Sequence, residues 1–262
     1  MSSTVINISW QVKLSNAAVN FLLLLSLMVT GCTPQKSSKT QSLNLRFKAV
    51  VGSQALVFNR THYANPGGDG KFKIRDFQFI ISNIKLHSDT GVYRQRESYH
   101  IARFDNAGTS FTLVLDNIPV GNYRDIDFSI GVDPEANSSR RSVGDLDPNS
   151  RMAWSWDVGY KFILFEGGLN RHDVLSPLVY HVGFSENYRV LRFPLSNITA
   201  KNKNLEKPLA RLVFRVDIMS LFKGVNTIDM GALPSVKFDK DDTKLIAENF
   251  EAMITLCRRG GC

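Results

Sequence analysis

The sequence predicts an all-β fold: a β-sandwich-like domain of antiparallel strands with a short C-terminal helix. Three observations lead there. Short apolar runs rich in Phe, Ile, Val and Leu recur between turn signals at near-regular spacing, as in sandwiches and barrels. Leu43, Leu45 and Phe47 alternate with Asn44, Arg46 and Lys48, the period-two pattern of a half-exposed strand. Only the tail resembles a helix: Leu245, Phe250, Met253 and Leu256 approximate a 3.6-residue stripe, and Asp239 to Thr243 offers N-cap choices.

Taken in order, the chain opens on Lys13 and an apolar run from Ala17 to Thr30. That run is short for a membrane span and fits the h-region of a signal peptide. It ends at Val29-Thr30-Gly31-Cys32, small residues before a cysteine, which matches the bacterial lipoprotein cleavage box. Residues 1–31 are therefore expected to be a lipoprotein signal peptide. Cys32 is expected to carry the lipid that anchors the protein to a membrane, with the bacterial outer membrane, facing the periplasm, as the expected address. A polar, Ser-rich tether follows at residues 32–42, and one β domain at 43–262.

Strands are expected at Leu43–Val51, Lys71–Ile74, Phe77–Leu86, Ser98–Phe104, Thr109–Leu115 and Arg124–Val132, with a loop at Asn65–Gly70 and a turn at Ile118–Gly121. A polar loop, Asp133–Ser150, leads into a strand that contains Trp154, Trp156 and the apolar run Tyr160–Phe165. Gly167–Ser176 reads as a loop. Further strands are expected at Leu178–Phe184, Tyr188–Leu195 and Leu209–Ile218, with Asn197–Pro208 as a long hairpin loop.

The formal net charge of +8 is spread along the chain with no dense basic run, which argues for surface solvation and membrane attraction and against nucleic-acid binding. With Cys32 lipidated, the other two cysteines, Cys257 and Cys262, flank Arg-Arg-Gly-Gly and are expected to pair in an oxidising compartment. The sequence lacks a Gly-x-Ser-x-Gly elbow, a His-Glu-x-x-His, a P-loop and a dinucleotide fingerprint, so a binding role is expected rather than an enzyme.

On spacing alone, Trp154 and Trp156 are ordinary packing residues sharing one strand face. The blocks around them say more. Asp145–Asn149 (DLDPN), Met152–Gly167 (MAWSWDVGYKFILFEG) and Tyr180–Gly183 (YHVG), with Phe77–Leu86, Glu97–Ile101 and Ile118–Asp133 upstream, resemble the MbnP-like family, exported bacterial copper-binding proteins related to the MopE and CorA copper proteins. That resemblance implies copper held by histidine together with a tryptophan oxidised to kynurenine, whose opened ring frees an aromatic amine. It also implies a dihaem cytochrome c peroxidase of the MbnH type as the oxidising partner. Carried onto this chain, it makes His181 the first ligand candidate, His100 the second, and Trp156 or else Trp154 the modified residue. The four-cysteine pattern of some relatives and a His-x-His pair are absent. The other histidines are His62, His87 and His172. Asp133, Glu135, Asp145 and Asp147 are oxygen donors of the kind calcium takes, but their spacing is not that of an EF-hand and favours turns. The competing reading is a metal-free β-sandwich that binds a glycan, a peptide or an envelope partner, with the tryptophans as packing or as a sugar platform.

Overall fold

The computed structural model describes residues 39–60, 62–139, 141–155, 158–195 and 211–258. Strand β1, Thr40–Val51, opens the domain, and β2, Gln54–Ala55, folds back on it. Two short residues of β3, Tyr63–Ala64, lie against β4, Lys71–Ser88, an 18-residue strand that forms the spine of the larger sheet. β5, Gly91–Arg94, and β6, Tyr99–Phe104, also pair with β4. β7, Ser110–Pro119, returns to β1, while β8, Tyr123–Ile130, pairs with the far half of β4.

Asp133 then caps the one-turn helix α1, Pro134–Asn137, by accepting from the Ala136 amide. β9, Ala153–Ser155, folds onto β10, Gly159–Arg171, which is hydrogen-bonded to β4 on one side and to β11, Val174–Gly183, on the other. β12, Arg189–Pro194, pairs with β8. β13, Arg211–Asp217, runs parallel to β1, and β14, Ser235–Val236, runs parallel to β11. Helix α2, Lys240–Ala247, capped by Asp239, precedes the single turn α3, Phe250–Met253, and β15, Ile254–Leu256, which pairs with β13.

Among the described residues the two sheets have five and ten strands. Between them lies the main core. Phe47 of β1 stacks on Phe214 of β13 with centroids 5.0 Å apart, and Phe128 of β8 meets Phe214 edge-on at 5.2 Å. At the other end Phe222 packs 5.0 Å from Phe165 and 4.9 Å from Tyr180. A second apolar cluster, Ile80, Val132, Leu146, Met152, Tyr160, Phe162 and Leu164, covers part of the larger sheet's other face. Along β10, Ile163 and Phe165 enter the main core while Phe162 and Leu164 enter the second cluster, as strand alternation requires.

The all-β expectation holds, with four refinements. The strands expected at Lys71–Ile74 and Phe77–Leu86 are one strand, because Arg75 and Asp76 are not a turn: Asp76 pairs with Glu166, Arg75 is the extra residue where the register shifts, and both charges are paired. Gly167–Ser176 is not a loop: β10 and β11 form a hairpin turning at His172 and Asp173, both with positive φ (51° and 62°), the geometry of a tight two-residue turn. β1–β13 is a parallel pair within a mostly antiparallel architecture. The helical tail is split into α2 and the single turn α3; Leu256, expected on its stripe, sits in β15.

Residues 40–42 of the expected tether belong to β1. Cys32, the signal-peptide segment, Trp156, the Asn197–Pro208 loop and Cys262 lie outside the described residues. Cys257 is disulfide-bonded.

Candidate functional site

Two adjacent strands and the β9 hairpin build the site on the second face of the larger sheet. On β11, Tyr180 and Val182 enter the main core, so His181 and Gly183 face the other way. His181 pairs with Leu164 of the second cluster. Glu166 is two residues further along β10, on the same face. Its Oε1 lies 3.1 Å from His181 Nε2. Its Oε2 accepts from Arg75 at 2.6 Å and from Arg151 at 3.2 Å, and Arg151 also binds Asp76.

Burial acts to raise the Glu166 carboxyl. The hydrogen bonds from Arg75 and His181 and the charge of Arg151 outweigh it and hold the group below the usual carboxylate range. Burial pushes the His181 ring below the ordinary histidine value; Glu166 pulls it back up, and Lys161 and Lys237 push it down again. Lys237 follows β14 directly, in step with the parallel β11 pairing, which sets it beside His181. At neutral pH the outcome is a neutral imidazole against an ionised carboxylate.

Gly183 explains how the tryptophan reaches this face. The Trp154 ring lies over it so closely that a Cβ there would stand 2.5 Å from the ring and 2.5 Å from the Tyr160 carbonyl oxygen. Phe184, at φ 69° a strained position for a residue with a side chain, and the largely exposed Phe238 flank the indole with centroids 5.5 and 5.2 Å away. Lys161 fixes the approach by donating from Nζ to the Arg151 and Ala153 carbonyls. Beside the indole, Trp154, Tyr160, Ala153, Pro148 and Asn137 line a cavity of ≈ 290 Å³.

His181 and Trp154 therefore share a face, two residues of one strand apart. His100 does not join them. It pairs with Ile81, a main-core residue, so its ring points to the opposite face of the sheet. β4 and β10 also lie between β6 and β11, which sets the two strands roughly 14 Å apart at ~4.8 Å per spacing. His100 Nε2 is instead 2.9 Å from Gln95 Oε1. A two-histidine site from His100 and His181 is excluded by this register, a correction to the ligand pair that the sequence suggested. The remaining histidines are scattered: His87 is paired with Asp127, His172 makes the β10–β11 turn and His62 packs edge-on to Tyr63. The acidic residues of the 133–150 loop do turn and cap work. Asp133 caps α1 and accepts from Tyr99 and Asn83, Asp145 accepts from the Ile101 amide, and Asp147 from the Asn149 amide.

Among the described residues no group of three or more His, Cys, Asp and Glu gathers that could hold a metal. One imidazole, His181, has the surroundings of a ligand: it is neutral, held on a strand, and oriented by a carboxylate, the arrangement that second partners of metal-bound histidines commonly provide. Sequence reasoning missed Glu166, Arg75 and Arg151, because only the folded chain reveals that Glu166 meets His181 and that the two arginines meet Glu166.

Two packed sheets with a polar, aromatic-rimmed patch on one outer face define an all-β, sandwich-type domain. The MbnP family model matches residues 40–238. MbnP from Methylosinus trichosporium has a similar fold, with a TM-score of 0.50 and 18% identity over 77% of this chain and 82% of that one. No curated protein matches the chain. The chain belongs to the MbnP family.

Proposed function

We propose that this is an exported, lipid-anchored copper-binding protein associated with methanobactin-type copper systems, and that it binds rather than catalyses. Family membership supports the class. The observation that carries the reading is that Gly183 lets Trp154 lie on the face of His181. His181 supplies one imidazole, a good donor to copper. An oxidised tryptophan of the same segment, Trp156 before Trp154, supplies an aromatic amine, produced by a dihaem cytochrome c peroxidase of the MbnH type acting in the periplasm. Trp154, packed between Phe184 and Phe238, holds the segment in place. Arg75 and Arg151 neutralise Glu166, so His181 meets the metal without that carboxylate competing for it.

Protein purified from cells that contain the peroxidase is expected to show a mass gain matching kynurenine in the Arg151–Lys161 peptide and to bind copper. His181→Ala is expected to abolish the binding and His100→Ala to leave it intact. An unmodified peptide together with no copper binding overturns the reading.

The second reading, a metal-free module for a glycan, peptide or envelope partner, draws on the cavity of ≈ 290 Å³ beside Trp154 and Tyr160. Ligand-observed NMR with envelope glycans tests it: saturation transfer that disappears in Trp154→Ala favours this reading.

A further inference from the structure

We infer that Glu166 fixes the tautomer of His181 and thereby selects Nδ1 as the ring atom presented to a ligand. For the identity of that ligand this rests on the copper reading; for the tautomer it rests on geometry alone. An ionised carboxylate can only accept hydrogen bonds, so the 3.1 Å contact between Glu166 Oε1 and His181 Nε2 requires the hydrogen to be on Nε2. A neutral imidazole carries one ring hydrogen, so Nδ1 keeps its lone pair. No described residue is hydrogen-bonded to Nδ1.

Glu166 cannot readily turn away. Its second oxygen is held by Arg75 and Arg151, and Arg151 is itself anchored on Asp76. The carboxylate and the imidazole stand on neighbouring strands, Glu166 paired with Val179 and His181 next along the same face, so the ladder sets their spacing. A positioning carboxylate of this kind determines which nitrogen a metal meets and how basic that nitrogen is.

Glu166→Gln tests the inference with almost no change in size. The amide oxygen takes the place facing the two arginines, and the amide N–H then faces His181 Nε2 and drives the ring hydrogen to Nδ1. In nitrogen-15 NMR of the metal-free protein, His181 is expected to show the Nε2–H pattern in the wild type and the inverted pattern in Glu166→Gln. Copper affinity in the variant should fall roughly 10- to 100-fold. An Nδ1–H pattern in the wild type overturns the inference without any variant, and so does a Glu166→Gln protein with wild-type tautomer and copper affinity. If His181→Ala binds copper as the wild type does, the copper reading fails, while the tautomer measurement stands by itself.

Discussion

The two faces of the larger sheet are made by the same strands and do opposite things. One face presents Phe77, Phe79, Ile81, Phe165 and Tyr180 to the main core, fully buried and packed ring against ring. The other presents Asp76, Glu166, His181 and Gly183, with Lys161 and two arginines around them. Because neighbours along a strand alternate, each residue that stabilises the fold is followed by one that is available for chemistry. Stability can thus be held on one side while the other carries charge, a half-buried imidazole and a strained aromatic rim. The division is not complete: Ile80, Phe162 and Leu164 extend an apolar floor under the polar patch and stiffen it.

The sharpest way to break this contrast is to cut the core face. Phe165→Ala should lower unfolding free energy by about 3–5 kcal/mol, since it removes a ring that Phe72, Tyr180 and Phe222 pack against; chemical denaturation measures it. On the other face Gly183→Ala should cost about 1–3 kcal/mol, because the new methyl meets a backbone carbonyl that cannot step aside. It should also shift tryptophan fluorescence as the indole lifts off the strand. Asp239→Ala removes the cap whose carboxylate accepts from the Asp241 and Asp242 amides at the rim of this face. A loss of about 1 kcal/mol in the same denaturation experiment is expected.

The smallest effect is a pH dependence. Burial holds the His100 ring below its ordinary value of 6.5, with Asp145 partly opposing. As pH falls the unfolded chain takes the proton first. This contribution to stability is therefore complete above the unfolded value and is lost as pH drops toward the folded one. His100→Gln should flatten the decline in stability between about pH 7.5 and about pH 5.5; an unchanged slope would show that the ring titrates as it does in the unfolded chain.

Much of the architecture was legible in the sequence. The alternation of Leu43, Leu45 and Phe47 forecast β1 correctly, and all three are buried. What could not be read is whatever depends on pairing partners. Arg75 and Asp76 interrupt an apolar run and look like a break, yet they lie mid-strand because Glu166 and Arg151 meet them from elsewhere in the chain. His172 and Asp173 contain no glycine to announce a turn, and the left-handed backbone at both positions emerges only in the finished hairpin. For the site, His181 and Trp154 lie on one face of the sheet and His100 on the other. Which face a strand histidine takes is set by parity against its neighbours, and a shift of one residue reverses it.

The parallel pairing of β1 with β13 has a consequence for how the chain is made. β1 has as one of its neighbours β13, a strand made long after it. Until that segment arrives, Leu45, Phe47 and Ala49 lack part of their cover, so this part of the nascent domain stays open until β13 has been made. The sheet latches only when β13 is present, so the order of synthesis itself delays its closure.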